Sequence, residues 1–293
     1  MKTKMGLLGR YAESLPPAWG SELILDERYR DTCLKYLLDF LFNTLKCKYV
    51  KLILPEDSPD LLPLDQQCRP RRIQLRVTRE DCHRIIPITS TWAEFEASRK
   101  GKFRKELRRM KRNLDKTGPW TTTRVEGKEQ SDVAGKILEV EEKSWKEEWR
   151  SQRGETDRLL VQFLKAAERL AKIEPNFKWS VWFLDLNGKA VSYLLVAEYN
   201  GVACLVRTSY NLQYRRFSPG TVIQDAALQG LFIGGQNKYI DFLGDLPWIQ
   251  VWADKCRPQL TVRLTEGLVP TFILQFVLRN PLVRRILRPT SEP

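Results

Sequence analysis

Asp241 stands between Ile240 and Phe242 in an otherwise apolar run, residues 239–243. A carboxylate in such surroundings is costly unless it is paired or put to work as a proton acceptor. Two roles are open to it, a general base or a brace that accepts hydrogen bonds from loop amides. A second chemical feature lies upstream, where Ser218-Pro219-Gly220 precedes a helical pattern over 221–233. A helix start preceded by glycine offers unpaired N–H groups and a positive dipole end to an anion. Ser218, Pro219, Gly220 and Thr221 are therefore a candidate anion cradle, with Arg215 and Arg216 adding charge, although the same residues also make an ordinary helix-starting turn. His83 is the only histidine, and its spacing implies no Ser, Cys or carboxylate partner, which favours a structural or solvent-facing role.

These residues need a frame. Asn187-Gly188 and Asn200-Gly201 sit between β-rich runs, and Asn-Gly favours the positive φ values of a type I′ hairpin turn. Strands are expected at 179–186, 190–198 and 202–209, an antiparallel meander, then the 221–233 helix and a strand at 239–243. Upstream, a strand at 120–125 and helices at 133–149 and 157–173 carry apolar stripes suited to a sheet; Trp145 and Trp149 belong to the first stripe. The first 90 residues suggest a helix at 30–45 and strands at 49–54, 72–77 and 84–88. Between the halves, 90–116 is strongly basic. Thr91 and Glu94 form a capping box at its start, and Phe95, Phe103, Leu107, Met110 and Leu114 form its apolar stripe. The rest of this helix is either a solvated face or a surface for phosphates, in which case Arg104, Arg108 and Lys111 are candidates.

Composition bounds the function classes. The chain has 293 residues, 42% of them hydrophobic, and a formal net charge of +13, which suits globular units and anionic partners. Six cysteines without a Cys-x-x-Cys pair suggest neither a zinc site nor a disulfide framework, and a reducing, cytoplasmic setting. No signal peptide or uninterrupted membrane-length apolar run is seen. The tail over 268–288, broken by Pro270 and Pro281 and flanked by arginines, reads either as a basic amphipathic contact with a membrane surface or as a helix closing over the sheet.

The order of elements, the segment YNLQYRRFSPG at 210–220 and the run DFLGD at 241–245, followed by Pro247 and Trp252, resemble the GNAT acyltransferases. Within that superfamily the chain is most similar to the CelD/BcsL cellulose-biosynthesis acetyltransferases, which are related to FemAB enzymes. The resemblance runs from about residue 36 to 252. It implies an α/β (α+β) fold, a GNAT-like mixed sheet flanked by helices, in tandem with a reduced first half. The expected divisions are a partial half at 1–90, a basic connecting helix at 91–118 and an acyltransferase domain at 119–293. The chain departs from the family pattern where Trp248-Ile249 replaces a Tyr-Lys pair, and a residue between Leu243 and Gly244 is missing.

The resemblance further implies transfer of an acyl group from acetyl-CoA or another acyl-CoA to an amine-bearing small molecule or polysaccharide precursor, without a metal. The acyl group would lie where strands 202–209 and 239–243 splay. Asp241, with Asp245 and Glu198 as alternatives, is the expected base rather than His83. Tyr210 and Tyr214 are candidates for protonating the leaving thiolate or for walling a cleft. Two other readings stand beside this one. A FemAB-like aminoacyl transferase would use charged tRNA, which suits the basic helix but calls for a helical arm less apolar than 133–173. A non-catalytic binding module would suit the departure at Trp248-Ile249.

Overall fold

The computed structural model describes residues 2–6, 9–13, 23, 27–126, 133–144 and 153–266. Trp145, Trp149 and the 268–288 tail lie outside them. The chain divides into two compact units, Met1–Cys82 with Arg257–Pro293, and His83–Cys256. The basic segment expected as a connector thus belongs to the second unit.

In the first unit, β1 (Lys2–Gly6) and β2 (Gly9–Glu13) are antiparallel, β2 runs parallel to β3 (Cys47–Pro55), and β3 pairs with β10 (Lys255–Glu266). Helix α1 (Arg30–Leu38) continues into a π-helical stretch, Asp39–Thr44. With α2 (Leu61–Cys68) it buries Leu34, Leu38, Leu41 and Leu64 against Val50, Leu52, Val262 and Leu264. The strands expected at 72–77 and 84–88 are one continuous strand, β4 (Ile73–Pro87). Cys33, Cys47, Cys68 and Cys204 are thiols, whereas Cys82 and Cys256 are disulfide-bonded, contrary to the expectation from cysteine spacing.

The second unit contains the expected meander. Strands β5 (Trp120–Glu126), β6 (Phe177–Leu186), β7 (Lys189–Tyr199) and β8 (Val202–Tyr210) pair antiparallel in sequence order. Both Asn-Gly turns have positive φ at both residues, 51° and 74° at Asn187-Gly188, 48° and 81° at Asn200-Gly201. β9 (Tyr239–Asp241) lies parallel to β8 and antiparallel to the end of β4. A parallel pair needs a crossover, and α7 (Pro219–Gly234) supplies it.

Helices cover both faces of this sheet. On one face α5 (Val133–Glu142) and α6 (Arg153–Ile173) enclose Val181, Phe183, Tyr193 and Leu195. On the other, α7 lies over Leu194, Val196, Ala203 and Leu205. It approaches so closely that a Cβ on Gly230 would stand 2.3 Å from the Trp182 ring. The basic segment is two helices, not one: α3 (Trp92–Ser98), with its Thr91–Glu94 capping box in place, and α4 (Gly101–Asp115). Arg99 between them is extended, and its guanidinium reaches the Trp252 carbonyl and the Asp254 carboxylate, both at 2.8 Å.

Candidate active site

The parallel pair parts early. β8 and β9 match only at Val202↔Tyr239, Ala203↔Ile240 and Cys204↔Asp241, after which β8 continues to Tyr210 while β9 ends. On its other side β8 carries a bulge. The register with β7 shifts so that Val206 stands unmatched between Leu205, opposite Val196, and Arg207, opposite Leu195. An extra residue bends a strand and strengthens its twist. The end of β8 therefore turns from β9, and beyond Cys204 no strand among the described residues pairs with β8 on that side, an edge along which a linear ligand could lie.

The loop from β8 to α7 closes one end of this opening. A 3₁₀ turn, Leu212–Phe217, is tied to the end of α5 by the Leu212 amide to the Lys143 carbonyl at 2.9 Å, and Asn211 accepts from the Gln213 amide at 3.0 Å. Ser218 then adopts a left-handed conformation, φ 51°, and α7 begins at Pro219. Proline brings no N–H, while the Thr221 and Val222 amides fold back on the Ser218 carbonyl. Gly220 is left as the first-turn amide for an anion, supported by the dipole of a 16-residue helix. The Tyr210 ring lies beside Gly220, 3.3 Å from where a Cβ would be. Arg215 and Arg216 are exposed, Arg216 lying over the Phe217 ring, and Tyr214 packs half-buried on the core below.

Of the three basic residues singled out on α4, Arg104 and Arg108 each use Nε on a backbone carbonyl of the preceding turn, at 3.2 and 3.3 Å. Lys111 is committed elsewhere: its ammonium pairs at 2.5 Å with Asp225, a carboxylate buried on α7. Burial raises the Asp225 carboxyl above its ordinary range and Lys111 opposes the rise. Lys111→Met should cost about 3 kcal/mol at neutral pH, the lower end for breaking a buried pair because Lys111 is itself partly exposed. Because the carboxyl is raised in the folded state, the charged form is the destabilised one. The deficit should shrink as pH falls and Asp225 protonates, a trend that chemical denaturation at several pH values would read.

The carboxylates expected as bases separate. Asp241 is 4% exposed; its Oδ1 accepts from the Leu243 amide at 2.7 Å and stands 3.4 Å from His83 Nδ1. His83 is thus neither solvent-facing nor without a carboxylate: it is 2% exposed, and its Nε2 is buried with no hydrogen-bond partner. Asp245 is held by Arg84 at 2.8 Å and by Gln250, which keep its carboxyl below the usual range, the wrong direction for a base working near neutrality. Glu198 accepts from Arg124 at 3.1 Å and Asn237 at 2.7 Å in a polar cleft that Gly230 and Gly234 also line. That is the C-terminal end of α7, roughly 20 Å along the helix from Ser218 at 1.5 Å per residue. Glu198 thus lies at the end of the strands opposite the opening between β8 and β9, and Asp245 is engaged by Arg84 of β4.

One group there escaped the sequence reading. Arg207, beside the bulge, directs Nε to Glu141 on α5 at 2.9 Å and to the Tyr193 hydroxyl at 3.0 Å, and Tyr193 donates to the same carboxylate. An arginine inside the run Val202–Tyr210 was the available signal, masked because its partners come from two other elements. Among the described residues no group of His, Cys, Asp and Glu could hold a metal ion, and no helix is long and apolar enough to cross a membrane.

The second unit is thus a mixed sheet whose parallel pair, β8 and β9, parts beside the N-terminus of α7. The chain belongs to the Acetyltransferase (GNAT) domain family, whose model matches residues 101–248, just over half its length. No curated protein matches it. Among solved structures, it resembles the C-terminal DUF2156 domain of an Agrobacterium fabrum protein named for lysylphosphatidylglycerol synthetase, with a TM-score of 0.57 at 13% identity over 94% of this chain and 86% of that one. A conserved Bacteroides thetaiotaomicron protein of unknown function gives 0.53 at 15% identity over 80% and 75%. The L-PGS of Bacillus licheniformis gives 0.52 at 9% identity over 97% and 89%. At these identities the likeness is one of fold.

Proposed function

We propose that the second unit transfers an acyl group from an acyl-CoA, acetyl-CoA in the simplest case, to an amine. The observation that carries this reading is the parting of β8 from β9 after Cys204↔Asp241, beside the N-terminus of α7. The pantetheine arm would run along the side of β8 from which β9 has parted, with its pyrophosphate at the Gly220 amide and with Arg215 and Arg216 countering its charge. The amine nitrogen attacks the thioester carbon, the C–S bond breaks, and the thiolate leaves and takes a proton, for which the Tyr210 and Tyr214 phenols remain the candidates. The proton lost by the amine goes to the imidazole–carboxylate pair. His83 Nε2 is buried without a partner, and Asp241 facing Nδ1 favours the tautomer that leaves Nε2 free to accept. A CelD/BcsL-type acetyltransferase is the particular form this reading takes.

Aminoacyl transfer from charged tRNA is a second reading, favoured by the basic face of α4 and by the lysylphosphatidylglycerol synthetase names of two structures of similar fold. Binding separates the two. At a hundredfold excess over its dissociation constant, acetyl-CoA should stabilise the protein by about 2.7 kcal/mol, a rise of about 4–5 °C in melting temperature for a chain of this size. No shift with acetyl-, succinyl- or longer acyl-CoA, together with salt-sensitive binding of aminoacyl-tRNA, would replace the first reading by the second.

A further inference from the structure

We propose that Arg207 docks the acyl acceptor, and that the acceptor is an amine that also bears a carboxylate. The inference rests on the transferase reading and adds to it the chemical class of the second substrate.

Arg207 is built as an anchor. Its guanidinium is held at Nε by Glu141 and the Tyr193 hydroxyl, and its side chain is 12% exposed. The two Nη nitrogens make no hydrogen bond among the described residues, and the side chain keeps part of its surface accessible. Burial, first of all, and the neighbouring Glu141 push the Tyr193 phenol well above its ordinary range, so it stays neutral and donates to Glu141. The arrangement fixes one edge of the guanidinium and leaves the other free. A planar fork of this kind matches the two oxygens of a carboxylate, and a side chain already immobilised loses little further entropy when it binds.

Its position suits an acceptor. Arg207 lies opposite Leu195, and Cys204, level with Asp241, lies opposite Ala197. Leu195 and Ala197 are two apart on β7 and project to one face, since strand side chains alternate. Arg207 and Asp241, on the two strands that part, therefore share the sheet face that α5 covers, and His83 reaches Asp241 from β4. A carboxylate on Arg207 would hold its molecule at the gap where the thioester is exposed.

The test is kcat/KM with acetyl-CoA for paired acceptors: lysine against cadaverine, which lacks only the carboxylate, and muramic acid against glucosamine, which lacks the carboxyl-bearing lactyl group, with glucosamine 6-phosphate as the phosphate-bearing arm. The carboxylate members should be favoured roughly 10- to 100-fold, as expected for one charge-assisted bidentate contact. In Arg207→Lys that preference should fall to within a few-fold while the KM for acetyl-CoA stays put. Equal use of both members, or preference for glucosamine 6-phosphate over muramic acid, overturns the inference while leaving the transferase reading intact. Calorimetric titration of the same acceptors into the wild-type protein reads docking without turnover. Binding of lysine or muramic acid but not of their partners supports the role of Arg207 even if no thiol is released, a failure that falls on the transferase reading alone. Absence of discrimination or of any binding overturns the inference.

Discussion

Asp241→Asn and His83→Gln should each slow thiol release from acetyl-CoA by about 10²- to 10⁴-fold, the usual loss when a working base is removed or disoriented, while acetyl-CoA still binds. The two residues contribute differently. In the proposed mechanism His83 Nε2 would accept the proton, and Asp241, 3.4 Å from Nδ1 and held by the Leu243 amide, would fix the ring. Asparagine keeps the shape of Asp241 but offers the imidazole an amide, which permits the wrong tautomer. Asp245→Asn should leave turnover near wild type, because Asp245 is engaged by Arg84 and Gln250. Stopped-time thiol assays on the three variants decide the matter. Full turnover in both Asp241→Asn and His83→Gln would remove the pair from the reaction, and loss only in Glu198→Gln would move the base to the opposite end of α7.

Gly220→Val should weaken acetyl-CoA binding by at least ~100-fold, about 2.7 kcal/mol, with little change in melting temperature. The backbone at Gly220 has no positive φ, so valine is not strained there by conformation. Even a Cβ would meet the Tyr210 ring at 3.3 Å, and the additional methyl groups occupy the space through which a phosphate approaches the amide. Steric exclusion removes such a contact outright. Gly220→Ala, which adds only the Cβ, should be milder. Calorimetry on both variants reads the effect; unchanged affinity in Gly220→Val would place the phosphates elsewhere.

What the sequence disclosed was governed by near neighbours. The Asn187-Gly188 and Asn200-Gly201 turns and the Thr91–Glu94 capping box follow from interactions within a few residues, and the meander and the start of α3 came out as expected. Helix α2 was missed because Pro63 and a polar second half suggest a loop, although proline is tolerated in a first helical turn. The break at Arg99 is set by Asp254 and the Trp252 carbonyl, which no local pattern reveals. The same holds for the site. Ser218-Pro219-Gly220 was visible as a helix start, whereas the contact of His83 with Asp241 exists only because β4 and β9 pair, and Arg207 is held by residues of α5 and β7. Asp245 and Glu198 stood as alternatives to Asp241; their arginine partners, Arg84 and Arg124, set them apart from it.

A donor lying between β8 and β9 with its phosphates at the start of α7 would be read by hydrogen–deuterium exchange with and without saturating acetyl-CoA, because β9 stops pairing with β8 after Cys204 and the Gly220 amide opens α7. Slowed exchange is expected, confined to residues 205–222 and 239–243. No protection there, or protection centred instead on the Arg124–Glu198 cleft at the other end of α7, would contradict it.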